Sequence, residues 1–300
     1  MNKINFLIDF NNLMIRILFT PDVYEEIKND IKNNKKYNFI FFRHVFFRSI
    51  NSFLKQSLNK EISQKLDSNI IERNIILAVD SKSWRKSIYE SYKENRNRTK
   101  TDEEIKLWEM FYEFFYEFLN EIEENFKHWF IIKSDMSEAD DVISVLVQEV
   151  LKNEINVVIS NDKDFLQLLN LDIENLYIYN PSSDILYKEI DNDFLLKMII
   201  MGDKADNIPP IKRGIGIKRA EKIIFENCLD KLINEDIEVK KQFNINKKII
   251  SLDIKEIPDF VIKGVINAYK HYNIQKSNQL NIYKYLCKFY KNTDELNLLI

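Results

Sequence analysis

Three short runs of unalternating aliphatic residues, each ending on aspartate, constrain this chain more than any other feature. INFLID closes on Asp9, IILAVD closes on Asp80, and INVVIS leads into Asp162 and Asp164. Each run has strand length and lacks the alternation of a half-exposed strand, the pattern of a parallel strand buried on both faces. A fourth run, HWFIIKSD, reads as another strand, ending at Asp135. Helical periodicity fills the intervals, notably 38–58 and 104–125. Alternation of this kind predicts an α/β domain with a central, mostly parallel sheet and flanking helices. Such sheets bind ligands outside the carboxyl ends of their strands, which is where these aspartates arrive.

The rest of the chain divides around that core. Residues 82–103 have little apolar periodicity and many cations, and read as an exposed, helical insertion. After about residue 190 the patterns are helical only, so the expected division is an α/β core over 1–190 and a helical domain over 191–300. The chain is poor in breakers, with 4 Gly and 5 Pro. Gly202, Pro209, Pro210, Gly214 and Gly216 nevertheless fall in one short stretch, which marks tight turns.

A net charge of −3 excludes a globally basic nucleic-acid binder, so any such contact has to come from a local patch. Cys228 and Cys287 lack a CxxC partner and read as thiols of a reducing compartment. The start, MNKINFLIDF, has no signal-peptide core, and FIFFRHVFF, interrupted by Arg43 and His44, is too short to span a bilayer. The expected location is the cytoplasm of a bacterial or virus-infected cell, and the expected state is a monomer.

Further carboxylates extend the acidic set. SEADD at 137–141 reads as a helix start, with Ser137 as N-cap and Glu138, Asp140 and Asp141 around the first turn. Asp203 and Asp206 lie three apart after the apolar stretch LLKMIIMG. Any one of these reads most simply as a cap or a solvated charge. Nine together at one sheet edge would repel strongly, and divalent cations relieve that repulsion. Oxygen-only ligands favour a hard ion such as Mg2+, for which Mn2+ can substitute. Two such ions about 4 Å apart activate water and stabilise the leaving oxygen of a phosphodiester, with no histidine required. His44, His128 and His271 are accordingly read as structural.

Together these motifs resemble the flap endonuclease family of structure-specific 5′ nucleases, over roughly residues 4–226. LIDF, LAVD, SEADD, SNDKDFLQLL and GDKADNIP match the family's acidic motifs. The resemblance implies a 5′-3′ exonuclease or flap endonuclease acting on DNA with a 5′ flap, nick or end, and on RNA–DNA hybrid. It also implies a division of ligands. Asp9, Asp80, Glu138, Asp140 and Asp162 would gather around one ion, and Asp164, Asp203 and Asp206 around the other. WRKSIYESYKENR resembles the family's helical arch, which places Lys93 and Arg96 at the scissile phosphate and Tyr92 on a terminal base, with Arg85 and Arg98 as further nucleic-acid contacts.

IKRGIGIKRAEKII resembles the family's helix–hairpin–helix variant. There Gly214 and Gly216 would let phosphate approach, and Lys212, Arg213, Lys218 and Arg219 would attract it. Many relatives hold K+ in this hairpin. Here IPPIKRGIG is one residue longer than the common form, with Pro210 where Gly is usual. Two alternatives remain at this point, a PIN-type ribonuclease and a non-catalytic structure-binding module. The hairpin and arch weigh against the first, and the unbroken set of carboxylates against the second.

Overall fold

The computed structural model describes residues 3–33, 37–58, 72–97, 101–272, 279–290 and 294–299. Its centre is a six-stranded sheet in the order β3-β2-β1-β4-β5-β6. The strands are β1 Lys3–Asp9, β2 Glu72–Val79, β3 Phe130–Lys133, β4 Ile155–Ile159, β5 Leu176–Asn180 and β6 Ile185–Tyr187. The first five are parallel, and β6 folds back antiparallel to β5. The strand order reverses between β1 and β4, so the sheet has its switch point beside Asp9. The HWFIIKSD run is a strand for only four residues, ending two short of Asp135.

Each strand feeds both faces. Phe6, Ile8, Leu77 and Val79 join one core, while Leu7, Ile76 and Ala78 join the other. The first face is covered by α1 Phe10–Leu18, α2 Pro21–Lys32, α3 Ile40–Ser57 and α4 Asp102–Asn125. Phenylalanine dominates this layer. Phe39, Phe42, Phe46, Phe111, Phe114 and Phe118 interlock, with Phe39 stacked on Phe114 at 3.9 Å. α4 starts on a capping box, in which Thr101 Oγ1 accepts from Glu104 N and Glu104 Oε2 accepts from Thr101 N. The second face is covered by α5 Ala139–Val145 and α10 Asp259–Lys270.

A small lobe is built from α6 Phe194–Met201, α7 Ile217–Phe225, α8 Leu229–Glu235 and α9 Ile237–Ile250. It has its own core around Ile200, Ile215, Ala220, Ile223 and Val239. Residues beyond 250 pack outside this small core. Leu252, Ile257, Val261 and Val265 return to the second sheet face, and Phe130 stacks on Tyr269 at 4.9 Å. Ile282, Tyr285 and Leu286 of α11 (Gln279–Leu286), with Leu296 and Leu299, complete the phenylalanine layer. Each buried Val or Leu contributes about 1.5–3 kcal/mol where it packs in this way.

A buried asparagine ladder crosses the sheet at the edge opposite the aspartates. Asn74 Nδ2 donates to Asn5 Oδ1 at 2.8 Å, and Asn5 Nδ2 donates to Asn156 Oδ1 at 3.0 Å and Glu154 Oε2 at 2.9 Å. These residues are also register partners, so a one-residue slip would strand three amides among aliphatic side chains. Asn5→Leu is expected to destabilise the protein by about 1–3 kcal/mol, read by urea denaturation, because its partners lose their bonds in a dry site.

Candidate active site

The parallel strands place their carboxylates at one edge, and local geometry then orients each. Asp9 ends β1 and N-caps α1, its Oδ1 accepting from Asn12 N at 2.9 Å. Asp80 follows β2; its Oδ1 accepts from Ala139 N at 2.7 Å, and its own N–H donates to Asn11. That bond pins the start of α5, and with it Glu138 and Asp140, to the end of β2. Asp162 caps the 3-10 turn Lys163–Asn170 by accepting from Asp164 N at 2.9 Å. Asp203 and Asp206 occupy a tight loop closed by Ile208 N donating to Asp203 O at 2.7 Å. Gly202 makes this loop possible. It has φ +65°, and a Cβ there would lie 2.4 Å from the carbonyl oxygens of Ile208 and Pro209.

Electrostatics show that these groups share one space. Burial, then the charges of Asp80 and Asp162, raises Asp9 from the ordinary 3.8 to about 8. Burial, then Asp162, Asp203 and Asp206, raises Asp164 to about 8. Asp80 is raised by burial and by Glu138, Asp203 by burial and then by Asp206 and Asp162, and Asp140 well above its ordinary value, chiefly by burial. Carboxylates as far apart in the chain as Asp9 and Asp162 thus repel one another in the fold. Oxygens of Glu138, Asp140 and Asp141 approach within 4.8 Å of one another.

Asp141 is also bonded within the protein. It is fully buried, and both oxygens serve protein donors. Trp84 Nε1 lies at 3.1 and 3.2 Å, Arg85 Nη1 at 2.9 Å and Glu138 N at 2.9 Å. It anchors the helix start, and its carboxylate stays within 4.8 Å of those of Glu138 and Asp140. Glu138, not Ser137, is the N-cap residue of α5, and Ser137 Oγ donates to Ser134 O.

The segment expected to be an exposed helical arch is folded down as two short 3-10 turns, Trp84–Ser87 and Glu94–Asn97. The crowded acidic groups below it draw in its cations. Lys93 Nζ lies 2.5 Å from Glu138 and 3.7 Å from Asp206, and Arg96 lies 2.5 Å from Asp206. Burial pushes Glu138 up, but Lys93 and Arg85 outweigh it and hold the group at about 2. Lys93 N donates to Asp206 O, and Asn207 Nδ2 to Ser91 O, stitching the segment to the acidic loop.

Two expected nucleic-acid contacts are overturned by this packing. Arg85 is 1% exposed, bonded to Glu138, Asp141 and Ile249 O, so it is an internal counter-ion. Its Nη2 has no hydrogen-bond partner among the described residues and lies 3.6 Å from Asp140. Tyr92 is 2% exposed, and its hydroxyl donates towards Glu138 and Asp206, so its ring cannot stack on a base in this conformation. Arg98 lies outside the described residues. Sequence reasoning missed the Trp84–Asp141–Arg85 network, whose only sequence signal is an aromatic–arginine pair soon after a strand aspartate.

The hairpin turn is exposed at the surface of the lobe. Lys212, Arg213, Gly214, Gly216, Lys218 and Arg219 are exposed, while Ile211, Ile215 and Ala220 hold the turn to the lobe core. Gly214 has φ +83°, and a Cβ on either glycine would meet nothing within 4 Å, so packing does not demand them. Lys212 pairs with Asp236 at 3.1 Å.

Residues 5–195 match the family model described as 5′-3′ exonuclease, N-terminal resolvase-like domain. The chain belongs to the 5′-3′ exonuclease family. Among relatives, the 5′-3′ exonuclease of Buchnera aphidicola is 28% identical over 216 residues, covering 68% of this chain and 67% of that protein. Flap endonuclease Xni of Shewanella woodyi is 26% identical over 152 residues, covering 48% of this chain and 56% of its own length. A bacteriophage T5 flap endonuclease, solved as a pseudo-enzyme–product complex with DNA and metal ions, superposes with TM-score 0.61 at 20% identity, covering 90% of this chain and 98% of that one. This 5′-3′ exonuclease family member thus carries the expected α/β fold with a helical lobe.

The donor set fits a hard divalent cation, because every converging group is a carboxylate and protons hold the place of counter-charge. Asp9 and Asp164 keep protons in the folded state that an unfolded chain would release, so stability falls as pH rises from about 4 to about 8. In chelator the melting temperature is expected to drop across that window, and added Mg2+ is expected to restore it most at the alkaline end. A melting temperature flat with pH in chelator would contradict the clustering.

Proposed function

We propose that this family member is a Mg2+-dependent 5′ nuclease that cuts DNA at flaps, nicks and 5′ ends, and RNA–DNA hybrid such as primer remnants. One observation carries the reading: carboxylates from β1, β2, α5, the turn after β4 and the loop after α6 converge and raise one another's proton affinity. Asp9, Asp80, Glu138, Asp140 and Asp162 would hold one ion, and Asp164, Asp203 and Asp206 the other, with Asp141 anchoring the helix start. Bound divalent ions supply an activated water and charge stabilisation for the leaving oxygen.

The chain's own groups do the rest. Lys93 and Arg96 already lie on the carboxylates, so a phosphate at that edge meets a compact ammonium and a forked guanidinium where negative charge builds. Trp84, Arg85 and Asp141 hold α5 in place beneath them. The exposed hairpin presents Lys218 and Arg219 at the N-terminus of α7, a suitable grip for the phosphates of one duplex strand. For a K+ ion at the hairpin, Lys212 O and Gly216 O already accept backbone N–H groups, from Ile215 and from Arg219 and Ala220. Among the described residues no helix is long and apolar enough to cross a membrane.

End-labelled flap, nicked-duplex and RNA-primed substrates, incubated with Mg2+, Mn2+ or chelator, test the reading. Cleavage near the 5′ end that needs the cation supports it, and cation-independent or absent cleavage refutes it. Asp162→Asn is expected to lower turnover by at least about 100-fold while duplex affinity stays within about threefold, since the ligand acts in the chemical step. Removing both charges in Lys218→Ala/Arg219→Ala should weaken duplex binding and reduce the salt slope by about 2, measured by fluorescence anisotropy at several salt concentrations.

A further inference from the structure

The junction between the helical lobe and the α/β core is a strap, residues 249–254, made of the last two residues of α9 and the irregular segment after it, held through its main chain by side chains of the core. Arg85 Nε donates to Ile249 O at 2.8 Å. Gln167 binds twice, donating to Ile250 O at 3.2 Å and accepting from Leu252 N at 2.7 Å. Gln148 also binds twice, donating to Leu252 O at 2.8 Å and accepting from Ile254 N at 3.1 Å. Ser144 Oγ adds a bond to Leu252 O. Gln167 is 2% exposed, and Ile249, Ile250, Ser251 and Leu252 are buried, so the Arg85 and Gln167 bonds form out of water, while those of Gln148 are part-buried.

The placement of the donors is what gives this strap a role. Gln167 lies on the 3-10 turn that Asp162 and Asp164 begin. Gln148 lies on the π-turn continuation of α5, the helix opened by Glu138 and Asp140. Arg85 bonds Glu138 and Asp141 directly while it holds the strap. At its other end the strap continues α9, whose buried Asn246 donates to Ile199 O and Pro209 O, both at 2.9 Å. Those carbonyls flank the loop of Asp203 and Asp206 and precede the hairpin. A polar path therefore runs from the loop before the hairpin, through α9 and the strap, to two elements that carry the acidic edge and to Arg85, which is bonded to one of them.

We propose that Gln167, supported by Gln148 and Arg85, is a positioning residue that keeps the acidic edge in register with the lobe that grips duplex. Apolar contacts tolerate sliding, whereas paired hydrogen bonds to a peptide's C=O and N–H fix position to a few tenths of an ångström. Gln167 touches no substrate; it acts through the strap. The inference rests on the proposed duplex role of the hairpin.

Steady-state cleavage of a nicked duplex by wild type, Gln167→Met, Lys218→Ala/Arg219→Ala and the combined variant tests it, alongside duplex anisotropy and melting temperature. Gln167→Met keeps size and apolar bulk but loses both bonds, and the expected loss in kcat is on the order of tenfold, with duplex affinity close to wild type. In the combined variant the loss in kcat/KM should be smaller than the product of the separate losses, because both changes cut one connection. Losses that multiply, or a lowered melting temperature with kcat unchanged, would overturn the proposal. Unchanged duplex binding by Lys218→Ala/Arg219→Ala would instead remove the hairpin's duplex role, and this inference with it. Should Gln167→Met not fold, Gln148→Met severs the same strap at Leu252 O and Ile254 N and is judged by the same criteria.

Discussion

Mutual repulsion among carboxylates at the carboxyl edge of the sheet is the constraint on which the rest of this structure depends. A parallel sheet with a switch point between β1 and β4 delivers Asp9 and Asp162 side by side, and β2 adds Asp80. Loops and a helix start bring the others. Bringing such groups together is unfavourable unless positive charge or protons accompany them. The structure shows both remedies. Asp9 and Asp164 retain protons, while Glu138 takes the two cations nearest to it, Lys93 and Arg85.

The same repulsion explains the conformation of the segment after β2. Cations in a region of low apolar periodicity would ordinarily stay in solvent. Here Lys93 and Arg96 fold onto Glu138 and Asp206, and Tyr92 follows them inward, because partly buried carboxylates crowded with others of the same sign attract cations strongly. Arg85 goes further and becomes fully buried, with Trp84 packed beside it and a carboxylate on each side. A buried ion pair of this kind adds little net stability but fixes geometry, since removing one partner would leave the other uncompensated. Asp141 contributes to that fixing through its bonds to Trp84, Arg85 and Glu138 N.

Geometry beyond the edge serves the same end. Gly202 permits the close turn that presents Asp203 and Asp206, and Asn246 holds that turn to α9. The asparagine ladder locks strand register from the opposite edge, so the aspartates stay level with one another. Packing of residues beyond 250 against both sheet faces ties the lobe to the core by two routes, one apolar and one through the 249–254 strap.

Much of this was legible in the amino-acid sequence. Unalternating aliphatic runs closed by Asp9, Asp80 and Asp162 specify buried parallel strands and where their ligands must lie, because side-chain burial on both faces leaves only the strand ends for chemistry. The clustered glycines specify the hairpin, because φ +83° at Gly214 suits few other residues. What the tertiary structure alone decided is which charges pair. Asp140 and Asp141 are adjacent and chemically identical in sequence, yet one faces the acidic space and the other is held by Trp84 and Arg85. Arg85 and Arg96 lie in one basic run, yet one is internal and one is exposed. Pairing of this kind depends on burial and on distances across the fold, and neither is written in the spacing of residues along the chain.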